Sequence, residues 1–238
     1  MELVQIAHIE NDFTQKFGVP RQSGLAPHVL SRIVFEPKFA DEQALRGIDG
    51  FSHLWLIWGF NEAKRKTGSA GNADEAFSAD GATWRPTVRP PRLGGNERMG
   101  VFATRSPFRP NGLGLSVVRL ERVERGSDGS TLVVAGADLM NGTPIYDIKP
   151  YIPYADAHPE ATGGFTDQEP RRLLNVVIDD ALLLRVPEEK REALREVLAQ
   201  DPRPAYHDDP SRVYVMSFGG QEVSFKVDGS NLSVVDVC

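Results

Sequence analysis

The residue types best suited to chemistry stand in Arg105-Ser-Pro-Phe-Arg-Pro-Asn111, between two runs that read as strands, and in the preceding Trp84-Arg-Pro-Thr-Val-Arg-Pro-Pro-Arg-Leu-Gly-Gly-Asn96. From Arg85 to Arg109 there are six arginines (Arg85, Arg89, Arg92, Arg98, Arg105, Arg109) against the single acid Glu97, a local charge opposite to the formal net charge of -6. Guanidinium groups grip phosphates and carboxylates in planar, charge-assisted pairs, and a neighbouring proline reduces the entropy lost when such a group is gripped. The plainer reading pairs these arginines with surface acids and lets the prolines stiffen a loop. The repeated Arg-Pro pairing favours an anion-binding surface.

A second segment, Asp138-Leu-Met-Asn-Gly-Thr-Pro-Ile-Tyr-Asp147-Ile-Lys-Pro-Tyr151, sets two acids and a lysine around a turn. Asn-Gly is often only a turn, which Asp138 could cap. Yet Asp147, Lys149 and Tyr151 offer an acceptor, a cation and an aromatic face within a few residues, the groups a nucleobase site uses.

Several classes are excluded or disfavoured. Asn111-Gly-Leu-Gly-Leu115 lacks the third glycine and following helix of a dinucleotide fingerprint, and no phosphate loop ending in Gly-Lys-Ser/Thr occurs. The histidines His8, His28, His53, His158 and His207 have no paired spacing, which speaks against a metal centre, and His53 reads as a hydrogen-bonded core residue. Cys238 is the only cysteine, so no intrachain disulfide or catalytic thiol is expected, in keeping with a reducing compartment. No basic segment leads an apolar core at the start, and no window approaches the roughly 20 apolar residues that cross a bilayer; the expectation is a cytoplasmic protein. An acidic chain does not coat nucleic acid by general basicity, so any such contact must use a local patch.

At 238 residues, 40% hydrophobic and 25% charged, the chain can bury one large domain or a large and a small one. Alternation predicts strands over Leu3 to Ile9 and Val29 to Phe35, and the dense apolar run Phe51 to Phe60 predicts a central strand covered on both faces. Asn61 to Thr83 turns to small and polar residues and reads as a mobile surface loop. Further strands are expected over Gly100 to Thr104, Leu113 to Arg122 and Thr131 to Leu139, the last two joined as a hairpin through Gly126-Ser-Asp-Gly129. Pro144, Pro150, Pro153, Pro159 and the Gly163-Gly164 pair are read as interrupting regular structure, with a boundary between Pro153 and Pro170. Pro187, Glu188, Glu189 and the apolar face of Leu194, Val197 and Leu198 mark a helix that stops before Pro202. Strands Val213 to Phe218, Val223 to Val227 and Leu232 to Val237 close the chain, the first pair turning at Gly219-Gly220. The expected fold class is mainly β: a closed or nearly closed antiparallel β-barrel domain over residues 1–158 and a small C-terminal α+β domain over 159–238.

Together, Phe51-Ser-His-Leu-Trp55, Arg85-Pro-Thr-Val-Arg-Pro-Pro-Arg-Leu-Gly-Gly-Asn96, Gly100 to Asn111, Asp138 to Tyr151 and Asp201-Pro-Arg-Pro-Ala-Tyr206 resemble the TsaA/TrmO family over nearly the whole chain. The resemblance implies a homodimeric tRNA methyltransferase with a single-sheeted β-barrel catalytic domain, which uses S-adenosyl-L-methionine to methylate N6 of threonylcarbamoyladenosine, just 3′ of the anticodon. By matching positions it implies a cofactor site of Pro20, Arg21, Gln22, Asn61, Glu62, Arg105, Leu115 and the Ala135, Gly136, Ala137, Asp138 strand end. Because an exocyclic N6 lone pair is delocalised, such a transfer needs an acceptor for the departing proton, for which Asp147 or Asp138 is the candidate, with Arg105 and Arg109 on the cofactor carboxylate or an RNA phosphate. Arg85, Arg89 and Arg92, with Lys149, Tyr151, Arg203 and Tyr206, would contact the anticodon stem-loop. Where the family has Asn-Pro-Ile-Gly this chain has Asn111-Gly-Leu-Gly114, and its loop after Phe60 is longer. The competing readings are a non-catalytic RNA-binding or S-adenosylmethionine-sensing barrel, and a methyltransferase for another acceptor.

Overall fold

Alternating apolar residues here close a sheet on itself. The computed structural model describes residues 2–60, 86–90, 97–126, 129–167, 172–204 and 209–238; the Asn61 to Thr83 loop and the centre of the Gly126 to Gly129 turn lie outside them. Along the chain run β1 (Ala7–Glu10), β2 (Leu30–Phe35), β3 (His53–Gly59), the short ribbon of β4 (Thr87–Val88) and β5 (Met99–Gly100), then β6 (Leu113–Gly126), β7 (Gly129–Ala135) and β8 (Pro144–Pro150). Strands β1-β2-β7-β6-β3-β8 form a closed barrel, antiparallel at every pairing. Closure leaves no exposed edge, which suits a domain with few helices to cover one.

In β3, Leu54, Leu56 and Trp58 are buried in the barrel, while His53, Trp55 and Ile57 on the outer face are half-buried. The run was expected to be covered on both faces; the barrel interior covers one, and the other is partly open. β6 and β7 form the expected hairpin, with Gly126 opposite Gly129.

Several boundaries differ from expectation for local reasons. β1 begins at Ala7 rather than Leu3; Leu3 and Val4 are exposed, although the Ile6 N–H still reaches the Ile145 carbonyl at 2.9 Å. Of Gly100 to Thr104 only the first residue is strand, because Val101–Ala103 winds into a 3-10 turn whose first N–H bonds the Pro86 carbonyl at 2.8 Å. β7 stops at Ala135 rather than Leu139 because Gly136 takes a φ of 78° and turns the chain. Pro144 and Pro150 bound a barrel strand instead of interrupting regular structure; a strand's terminal residues tolerate the missing N–H. β8 pairs with β3 across an irregularity that leaves Tyr146 unmatched, since Ile57 faces Asp147 and Trp58 faces Ile145.

The rest of the chain contains α1 (Pro153–Asp156), β9 (Asn175–Val177), α2 (Asp180–Leu183), α3 (Arg191–Ala199), β10 (Tyr214–Phe218), β11 (Gln221–Asp228) and β12 (Asn231–Val237). The sheet order is β10-β11-β12-β9, the last pair parallel. The predicted helix is a 3-10 turn, Glu188–Lys190, continued by α3, which buries Leu194, Val197 and Leu198 against Met216, Phe225 and Leu232. This small α+β unit has its own core, but Phe13, Ala26 and Val29 of the β1–β2 connection are buried in it too. No helix among the described residues is long and apolar enough to cross a membrane.

Candidate functional site

At one end of the barrel the β1–β2 connection, the start of β6 and the β7–β8 connection converge. The Gly136 N–H donates to the Val29 carbonyl at 3.0 Å, and its own carbonyl accepts the Gly24 N–H at 2.8 Å. A Cβ on Gly136 would stand 3.2 Å from the Gly24 Cα, a tight approach that, with a φ of 78°, makes glycine the residue best suited to the crossing. That crossing brings the Gln22–Ser23 turn beside Asp138.

Asp138 Oδ1 accepts the Ser116 hydroxyl at 2.6 Å, and Ser116 Oγ accepts the Trp58 indole N–H at 2.9 Å. Burial pushes the Asp138 carboxyl above the usual carboxylate range. Hydrogen bonds from Ser116, its own amide and the Ser23 amide, and the Arg105 charge, oppose the rise without cancelling it. The Arg105 guanidinium donates to Gln22 Oε1. Gln22, Arg105, Ser116 and Asp138 thus form one polar cluster at the barrel mouth. Trp58 completes its inner wall: its indole lies where a side chain on Gly114 would sit, a Cβ there falling 2.3 Å from Cε2, and its ring meets Phe60 edge-on at 4.4 Å.

The remaining expected residues are distributed more widely. Pro20 is buried, and Arg21 donates to the Arg203 carbonyl at 3.2 Å. Ala135 and Ala137 are buried, so they offer the site backbone rather than side chain. Leu115 lies 56% exposed opposite Ile57, on the face away from Ser116. Arg109 turns back on its own loop, donating to the Thr104 and Val101 carbonyls at 2.6 and 3.3 Å and lying over the Phe102 ring. Arg203 grips Asp201 with two bonds of 2.8 and 2.9 Å, its side chain 11% exposed.

Asp147 is not beside Asp138. It pairs with Lys149 at 3.2 Å and lines a cavity of about 320 Å3 with Ile6, Phe35, Leu45 and Ile48. The 3-10 turns that cover this cavity join the other ends of β2 and β3, away from the Gly136 crossing. Tyr151 packs its ring 5.9 Å from Trp55 and 6.2 Å from His53, and Arg89 is exposed. Asn61, Glu62, Arg85, Arg92 and Tyr206 lie outside the described residues.

Sequence reasoning missed Ser116, Ser23 and Trp58 as site residues. One sign was available: Ser116 is polar at an inward position of a strand whose next inward residue, Val118, is fully apolar.

A closed antiparallel barrel whose loop end gathers a half-buried acid, a guanidinium and two crossing glycines places this chain in the class of helix-poor barrel proteins. Residues 8–157 match the model of the tRNA-methyltransferase O N-terminal domain, and residues 176–238 that of the TrmO C-terminal domain. The chain belongs to the TrmO family. It is 38% identical over 240 residues to the Escherichia coli K12 tRNA (adenine(37)-N6)-methyltransferase, covering 97% of this chain and 94% of that one. A Pseudomonas aeruginosa relative whose name describes an S-adenosylmethionine-dependent methyltransferase is 41% identical over 216 residues, 88% of this chain and 85% of its own. The crystal structure of TrmO from Pseudomonas aeruginosa superposes with a TM-score of 0.75 at 30% identity, covering all of this chain and 98% of that one.

Proposed function

We propose that this protein is an S-adenosyl-L-methionine-dependent tRNA methyltransferase acting on N6 of threonylcarbamoyladenosine at position 37, next to the anticodon. The observation that carries the reading is the Gln22, Arg105, Ser116 and Asp138 cluster, which sets a carboxyl of raised proton affinity beside a cation at the barrel mouth. Bound S-adenosylmethionine supplies an electrophilic methyl group on a sulfonium. The residues fit such a group: Arg105 and Gln22 would answer its carboxylate, the Ala135, Gly136, Ala137 and Asp138 backbone would offer hydrogen bonds, and Pro20 and Arg21 would extend the wall, whereas Leu115, on the opposite face of β6 from Ser116, would not reach it. Asn61 and Glu62 belong to the same proposal.

An exocyclic N6 lone pair is delocalised into its ring, so the nitrogen becomes nucleophilic only as its proton leaves. Asp138 takes that proton, and it does so better than an ordinary carboxylate because burial raises its proton affinity. Ser116 and Trp58 hold the acceptor oxygen in place, and bracing by Arg109 keeps the loop that carries Arg105 in shape. Asp147, paired with Lys149, is assigned with Lys149 and Tyr151 to RNA contact instead. Arg85, Arg89 and Arg92 grip phosphate, Tyr206 stacks, and Arg203 supports that surface through Asp201. The reading includes a homodimer in the cytoplasm with no membrane partner and no metal.

Incubating the protein with methyl-labelled S-adenosylmethionine and bulk tRNA, then digesting to nucleosides, tests it. Label on threonylcarbamoyladenosine is expected. Label elsewhere indicates another acceptor, and binding without label indicates a sensing or RNA-binding module.

A further inference from the structure

The β1–β2 connection carries the Gln22–Ser23 turn, yet it is anchored from the C-terminal unit. Phe13 and Val29 are buried in that unit's core, Lys190 Nζ stands 2.7 Å from Asp12 Oδ1, and Gln200 Nε2 donates to the Leu25 carbonyl at 3.0 Å. The tightest hold is on His28. Glu196, on α3, accepts its backbone N–H at 2.9 Å on one carboxylate oxygen and faces its ring Nδ1 at 2.5 Å with the other. The next residue, Val29, receives the Gly136 N–H, so the grip lies one peptide from the crossing that sets Asp138.

We propose that Glu196 is a positioning residue for S-adenosylmethionine binding: by holding His28 at two points it fixes the turn that presents Gln22 to Arg105. This rests on the functional reading above. Two bonds from one carboxylate set orientation as well as position, and at 17% exposure the Glu196 side chain is better shielded from solvent than most surface acids. Glu192, one helical turn earlier, brings a third potential ligand atom within 4.8 Å of the pair. No ion is needed to account for the pair, because Nδ1 and Oε1 at 2.5 Å already meet in a direct hydrogen bond.

The hold depends on pH. The hydrogen bond to Glu196 and then its charge raise the His28 pKa, with help from Glu192 on the same helix, against slight burial and the Arg119 charge on β6. A raised histidine contributes fully below its unfolded pKa of 6.5, and the contribution is lost as pH climbs through the higher folded value. The backbone bond to Glu196 survives that loss.

The experiment measures the S-adenosylmethionine Kd by calorimetry, and KM and kcat for tRNA methylation, from pH 6 to 9, for wild type, Glu196→Ala, Glu196→Gln and His28→Gln, with thermal melts to confirm folding. Glu196→Ala is expected to raise Kd and KM for S-adenosylmethionine about tenfold with kcat changed less than threefold. Glu196→Gln, which keeps an acceptor for the backbone N–H, should fall between and lose the rise in Kd with pH expected of wild type. A folded Glu196→Ala protein with wild-type Kd at every pH overturns the proposal, as does a lowered kcat at unchanged Kd. If the alanine variant does not fold, the same criteria apply to the two glutamine variants. Because Kd is read without turnover, a wild-type protein that methylates no tRNA counts against the proposed activity and leaves this test standing.

Discussion

Replacing Asp138 by Asn separates its proton-accepting role from its structural one. The amide carbonyl can still accept the Ser116 hydroxyl that now meets Oδ1 at 2.6 Å, so the local frame is kept. What is lost is the basic oxygen. A positioned base contributes about 10²- to 10⁴-fold, or roughly 2.7–5.5 kcal/mol of barrier, so single-turnover methylation should slow by that factor while S-adenosylmethionine affinity changes little. Because burial raises the Asp138 pKa, wild-type rate should climb as pH rises through a value above the usual carboxylate range, whereas the Asn variant should be flat there. Stability should move the opposite way. A carboxyl whose folded pKa is raised stabilises the native state below the ordinary carboxylate pKa and gives up that stabilisation as pH climbs through the folded value, so the Asn variant should melt at or above wild type near neutrality. The assay is rapid-quench single turnover with labelled cofactor and threonylcarbamoyladenosine-containing tRNA, alongside calorimetric melts. A rate within about threefold of wild type across the pH range would remove Asp138 from proton transfer.

Gly136→Ala should cost about 1–2 kcal/mol for the left-handed backbone, with more for the 3.2 Å approach to Gly24, lowering the melting temperature by several degrees and weakening S-adenosylmethionine binding; an unchanged melt would show that the crossing relaxes freely. Trp58→Phe keeps a ring over Gly114 but removes the donor to Ser116, so about 1 kcal/mol of stability and a several-fold loss of turnover are expected, measured by denaturant unfolding and single-turnover rate. Replacing Arg89 and Arg92 with Ala should weaken tRNA binding and flatten its log–log salt dependence by about one unit per arginine, and a filter-binding slope equal to wild type would rule out their phosphate contacts.

Apolar periodicity was enough to derive a helix-poor barrel followed by a smaller α+β unit, because alternation at Leu54, Leu56 and Trp58 and the 3.6-residue spacing of Leu194, Val197 and Leu198 are local consequences of burying one face. The Arg-Pro density and the Asp138 to Tyr151 segment were also legible, since residue type and neighbourhood carry that signal. Which acid meets the cation was not. Asp138 and Asp147 stand close in sequence, but Gly136 turns one into the barrel mouth while an unmatched Tyr146 in β8 leaves the other beside Lys149 over a different cavity. The meeting of Asp138 with Ser116, Arg105 and Gln22, and the grip of α3 on His28, join segments distant in the chain. Only closure of the barrel and burial of Phe13 and Val29 in the second core bring those segments together, and no pattern within a single segment encodes such a contact.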